Sequence, residues 1–276
     1  MKKILLTTVI VLIACIFAAA QDVTTNKTDS KGHKQGVWEE KTATSTTKGL
    51  YQDDKKEGTW ITYGSTGFLN RIDEYVKGLH EGISVEIDQR GYLVSEFYYK
   101  NDLLEGTEKK YFYGSNPAST IDYKQGKLNG KRRLYYENSA GKLSEESEFK
   151  DDIKNGPSNF FTISGDPVAE YNYVNGMLEG IQKTYYPGKK IMSEENYVNN
   201  VESGSYKEYY DTGKVKLEGS YRNGKMDGKW TEYDADGKVK TEGSYVNGDK
   251  EGKWTEYDAA GKPLKVTKYI KGVEKN

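Results

Sequence analysis

The chain has 276 residues, with 41 Lys and Arg against 42 Asp and Glu, 30 Gly and 24 Tyr, but two His and one Cys. A net charge of −1 gives no net pull toward nucleic acid or anionic lipid. One Cys excludes a disulfide framework or a Cys-based metal cluster, and two His leave little for a zinc site or a His-based triad. Abundant Gly and Tyr with balanced charge suit an extended β protein with much exposed surface, because Tyr forms strands and packs while keeping a wet hydroxyl.

Met1-Lys2-Lys3 is a short basic start, Ile4 to Ala20 is almost wholly apolar, and Ala18-Ala19-Ala20 precedes Gln21-Asp22. This is the pattern of a secretory signal peptide, so residues 1–20 are expected to be removed after Ala20 and the mature chain to be secreted or periplasmic. The alternative is Leu12-Ile13-Ala14-Cys15, which resembles a bacterial lipobox and would make Cys15 the lipidated first residue of an outer-membrane lipoprotein. Residues 21–50, rich in Thr, Lys and Asp, read as a loose leader with one degenerate repeat; residues 51–276 read as a repeat array.

The repeat is plain in Tyr221–Gly237 against Tyr245–Gly261, which share Tyr-x-Asn-Gly-x-x-x-Gly-Lys-Trp-Thr-Glu-Tyr-Asp-Ala-x-Gly at an offset of 24. One glycine recurs as Gly36, Gly58, Gly82, Gly106, Gly130, Gly156, Gly180, Gly204, Gly228 and Gly252, with one step of 22 and one of 26 among steps of 24. Four residues earlier stands Gly32, Asp54, Gly78, Asp102, Gly126, Asp152, Gly176, Asn200, Gly224 or Gly248. Only types that tolerate positive φ occur there, and the frequent Asn-Gly pairs predict primed hairpin turns. Both glycine sets, Gly224 and Gly248 among them, are read as structural turns. Tyr or Phe occurs seven residues before the recurring glycine from Tyr51 on and, with one Ile, five after it from Tyr63 on; sixteen of the 24 Tyr fall on these two phases.

Each unit thus reads as strand, turn, strand, turn, as in Lys229–Tyr233, Asp234–Gly237, Lys238–Tyr245 and Asn247–Gly252. Connections this short require antiparallel neighbours. The expected fold is all-β: an elongated antiparallel sheet of about ten 24-residue β-hairpin repeats, single-layer or coiled. Trp230 and Tyr233 are expected on opposite faces unless a bulge intervenes.

The unit Tyr-x-Asn-Gly-x-x-x-Gly-Lys-Trp-x-x-Tyr-x-x-x-Gly resembles the MORN-repeat variant family, including proteins labelled YwqK-type antitoxins, over about residues 29–276. The resemblance implies β-hairpin repeats and roles in protein binding, membrane association or neutralising a toxin. It departs from the standard MORN unit in lacking the second Gly of Gly-x-Gly after the turn, where Trp, Tyr or polar residues stand.

The candidate binding residues are the aromatic rows Trp60, Tyr206, Tyr209, Trp230, Tyr233, Trp254 and Tyr257. Such rows either stabilise a thin sheet as cross-strand ladders or line a shallow groove for a peptide, glycan or lipid headgroup. The Gly-x-x-x-Gly pairs lack the Lys-Ser/Thr element and following helix of a phosphate loop. Acidic turn residues such as Asp234, Asp236, Asp249 and Glu251 keep no Ca²⁺-ligand pattern, and His33 and His80 share no motif. No catalytic residue, metal, cofactor or nucleic-acid partner is expected. The export signal, the solenoid-like period and the lack of a nucleophile elbow predict a non-enzymatic scaffold that binds another protein or a cell-envelope component. A membrane-surface binder and an antitoxin-like immunity protein are the alternatives.

Overall fold

The computed structural model describes residues 25–275, so the expected signal peptide and Cys15 lie outside the described residues. Among the described residues there is no helix, and every strand pairing is antiparallel, which is the expected all-β hairpin architecture. The described residues divide into two compact units that part between Leu103 and Leu104. Within each unit, strands pair with their chain neighbours as a meander. Within residues 21–50, expected as a loose leader with one degenerate repeat, strands Lys27–Thr28 and Lys34–Lys41 pair, and Lys34–Lys41 pairs in turn with Ser45–Gln52.

The tip geometry follows from two adjacent positive-φ positions in each repeat. Strand Val239–Val246 turns at Asn247-Gly248 into strand Asp249–Tyr257. Asn247 (φ 52°) and Gly248 (φ 93°) are both left-handed, which defines the primed two-residue turn whose twist matches a right-handed hairpin. The equivalent pair is left-handed at each tip from Asp53-Asp54 to Lys271-Gly272.

The recurring glycine plays a different part from the one expected. Gly82, Gly106, Gly130, Gly180, Gly204, Gly228 and Gly252 lie not in turns but within or at the start of returning strands. In the last complete unit Glu242 pairs with Thr255 and Ser244 with Glu251, so Gly252, Lys253 and Trp254 oppose Gly243 alone. The surplus is a β-bulge, and its first residue has positive φ at all ten positions, between 66° and 120°. A turn and a bulge make the same demand on φ, and this is why the sequence does not separate them.

Successive hairpin tips are stitched together. The amide of the second turn residue donates to the preceding tip, as in Gly176 N to Lys154 O at 2.8 Å and Gly248 N to Met226 O at 2.9 Å. Where that residue is Asp or Asn rather than Gly, its side chain adds a bond. Asp54, Asp102, Asp152 and Asn200 Oδ1 accept from the amides of Lys34, His80, Leu128 and Leu178 at 2.6–2.8 Å. A further row stands just before the bulge glycine. Glu57, Glu81, Glu105, Glu179 and Glu251 accept from the first turn amide of the next tip at 2.7–3.0 Å. The tip's otherwise exposed backbone donors are thereby satisfied within the fold.

Trp60, Ile61, Ile72 and Ile87 form the buried apolar core of the first unit; Ala169, Trp230 and Trp254 are buried in the second. Small hydroxyls fill the tightest places, Ser84 and Ser95 in the first unit and Ser147 and Ser158 in the second.

Candidate functional site

The indole row is interior. Trp60, Trp230 and Trp254 are only 1%, 2% and 8% exposed, so of the two readings of these indoles the cross-strand ladder holds and their place among the candidate binding residues is corrected. The physical cause lies across the strand. A Cβ built on Gly49, Gly219 or Gly243 would fall inside the ring of Trp60, Trp230 or Trp254 respectively. Each indole lies flat over backbone that has no side chain, and its Nε1 donates to the next carbonyl: Leu50, Ser220 or Ser244 O at 3.1–3.2 Å.

These rings join the tyrosines seven before the bulge glycine in edge-to-face ladders. In the first unit Trp38, Tyr51, Trp60 and Tyr75 follow one another at 5.0–6.3 Å. In the second, Tyr221, Trp230, Tyr245, Trp254 and Tyr269 do so at 5.0–6.4 Å, and Tyr206 meets Trp230 at 5.5 Å. Lysines close the ladders from outside: Lys56 Nζ lies 4.1 Å from the Trp60 ring centre and Lys250 Nζ 4.2 Å from that of Trp254. Tyr206 is half-buried within this stack, and burial pushes its phenol up to about 12.

Where the repeat lacks Trp, the same position becomes polar. In the first unit Ser84 and Asp73 replace the Trp–Gly pair, and Ser84 Oγ donates to Asp73 Oδ1. Arg71 Nε spans both Asp73 oxygens at 2.9 Å, and its Nη1 reaches Glu86 Oε1 at 2.8 Å. His80 is not incidental. It takes the place of the covering lysine, stacked on Tyr75 and Tyr99 at 4.9 and 3.9 Å, with Nε2 3.0 Å from Asp73 Oδ1. Burial holds the imidazole below its ordinary pKa against the pull of Asp73. Serine, histidine and aspartate therefore meet, but the carboxylate sits between the other two and Ser84 is 0% exposed. That arrangement makes no nucleophile–base relay. In the second unit Arg132 Nη2 and Ser147 Oγ share Glu145 Oε1 at 2.6 Å, and buried Glu108 meets Lys110 at 3.0 Å.

The tyrosines five after the bulge glycine occupy the opposite face, as alternation requires. Tyr209, Tyr233 and Tyr257 donate to Glu194, Glu218 and Glu242 at 2.8, 2.6 and 2.6 Å. Burial and then Glu194 push Tyr209 up to about 12; for Tyr233 the bond to Glu218 is the leading cause of the same rise. Lys229 completes the lattice at 2.7 Å from Glu242 and holds that carboxyl below its usual range. This face is a mosaic of phenol, carboxylate and ammonium groups.

Of the acidic turn residues, Asp234 and Glu251 have structural roles. Asp234 Oδ1 accepts from the amides of Asp236 and Lys238 at 2.9 Å, and these bonds lower its pKa. Asp29, His33 and Asp53 bring donor atoms within 4.8 Å of one another at the surface. Asp29 is already committed to its own turn, accepting from the amides of Lys31 and His33 at 2.8 and 2.9 Å. The stitching glutamates and His80 escaped the sequence reading, although Glu57, Glu81, Glu105, Glu179 and Glu251 keep one phase.

Comparison with known proteins adds one family. The MORN repeat variant model matches residues 178–199, 202–223, 226–247 and 250–271. No curated protein matches the chain. Among solved structures it is similar to a chain in the crystal structure of TcdB2-TccC3-Cdc42, at 12% identity and a TM-score of 0.23. That match covers 78% of this chain and 16% of the other.

Proposed function

We propose that this chain, whose residues 178–271 belong to the MORN repeat variant family, is an exported scaffold that binds another protein of the cell envelope. MORN repeats form a non-catalytic family generally associated with protein or membrane binding. The observation that carries the reading is how the reactive groups are used. Asp73, Ser84 and His80 are closed into a buried cluster, the tip glutamates hold backbone amides, and the indoles are core. What remains for function is surface: the Tyr–Glu–Lys mosaic and the hairpin tips. A mosaic that alternates Lys with Glu favours a protein partner over an anionic bilayer, because half its charges repel the lipid.

Export rests on residues 1–20. The test is expression in a bacterial host of the full chain with a C-terminal tag, followed by fractionation, intact mass and affinity capture from envelope extract. A chain starting at Gln21 outside the cytoplasm, with a stoichiometric protein partner, is expected. A chain that stays cytoplasmic and uncut, or captures no protein at all, overturns the proposal. Lipid mass on Cys15 would instead assign membrane anchoring.

A further inference from the structure

The residues that flank the tips form a row the ladders and stitches do not use. In the second unit Val174 pairs with Met177 and Val198 with Val201 across their turns, and Ile153 sits at the preceding tip. All five are exposed, Ile153 and Val174 by 50%, Val198 by 43% and Val201 by 42%. Their tips are neighbours. Ile153 Cγ2 lies 3.1 Å from where a Cβ on Gly176 would be, and Asn200 N donates to Leu178 O at 3.0 Å. Two strand spacings separate successive tips, about 10 Å, so the aliphatic strip runs roughly 20 Å.

Cations stand at both of its ends. Lys124 pairs with Lys127, and Lys150 faces Ile153, on one side; Arg222 pairs with Lys225 on the other. All five are exposed. Of the nearby carboxylates, Asp152 is engaged on Leu128 N, Glu179 on Asn199 N and Asp227 on Arg222 at 2.9 Å, while Asp151 is exposed, 3.4 Å from Asn129 Nδ2.

We propose that this strip is a docking surface for an extended polypeptide segment of about ten residues, aliphatic at its centre and acidic at both ends. The inference rests on the scaffold reading above and names the partner's chemistry. Two features select this occupant. A second copy related by a two-fold axis would lay the Lys150 end on the Arg222 end, cation against cation. A bilayer would meet a single row without the interfacial Trp or Tyr that anchors such surfaces.

The probe is a fluorescein-labelled decapeptide with a Leu-Val-Leu-Val centre and two acidic residues toward each end, titrated with the full chain at low salt. A saturable anisotropy rise is expected, weakening with salt. Affinity should fall at least tenfold in Val174→Ser/Val198→Ser and in Lys150→Glu/Arg222→Glu. Val76→Ser, at a tip of the first unit, should bind as wild type, and unchanged thermal melts show that the variants fold. The proposal is overturned by no saturable rise, by equal binding to both double variants, or by equal binding of the same peptide with lysine ends. It is also overturned by phosphatidylglycerol vesicles bound in preference and lost in Val174→Ser/Val198→Ser, or by a dimer in light scattering that this variant dissolves. If the variants still capture the envelope partner, the strip is refuted and the scaffold stands; if wild type captures none, the scaffold itself fails.

Discussion

At Gly243 a single methyl group would compete with the Trp254 indole for the same space. Gly243→Ala is therefore expected to cost about 1–3 kcal/mol by overpacking, and Trp254→Ala about 3–5 kcal/mol by leaving a cavity. The double variant should cost less than the sum, because the added methyl meets no ring once the indole is gone. Denaturant unfolding of the cycle measures the coupling; additive losses would mean the two residues do not touch. The tyrosines of the opposite face give a second expectation. Tyr209 and Tyr233 have folded pKa values raised to about 12, above an unfolded value near 10. A raised pKa favours the neutral phenol in the fold, so this stabilisation is full below pH 10 and is lost as pH rises from 10 toward 12. Phenolate absorbance should show a late-titrating subset, and melting should fall over the same range; a uniform titration near 10 would count against the Glu–phenol bonds.

Between elements, the tip is where one hairpin holds the next. Asn200 satisfies the turn's need for positive φ (66°) and also accepts from Leu178 N at 2.6 Å. Asn200→Gly keeps the turn and removes the bond, so a loss of about 0.5–1.5 kcal/mol is expected. Amide exchange should quicken at Leu178 while the far ends of the strands stay protected. No change at Leu178 would make the Asn a turn former and nothing more. The choice among Gly, Asn and Asp at this position was legible in the sequence as a φ requirement. The second use was not, because a side-chain bond to a neighbouring hairpin has no local signature.

On the scale of the array, period and pairing can be separated. Removing residues 207–230 and removing residues 205–228 each delete 24 residues and keep the phase. The first deletes Gly219 with Trp230 and leaves Tyr206 beside Glu195, its native cross-strand partner. The second deletes Gly219 and Tyr206 but keeps Trp230, which then faces Glu195. The first chain should retain its β-sheet circular dichroism and melt near wild type. The second should be less stable by about 1–3 kcal/mol, since a ring is forced onto an occupied site. Equal stability of the two would show that phase alone sets the fold.

The sequence by itself determined the hairpin period, the left-handed turn positions and the antiparallel all-β class, because each depends on residue type within a short stretch of chain. It placed Trp60, Trp230 and Trp254 in one phase but not on the inside. Their burial is set by Gly49, Gly219 and Gly243 on the neighbouring strand and, for Trp60 and Trp254, by a lysine laid over the ring. Nor did it tell a turn glycine from a bulge glycine, or reveal that His80 sits between Tyr75 and Tyr99 beside Asp73. Those outcomes depend on which residues face each other across strands, and register, not local propensity, decides that.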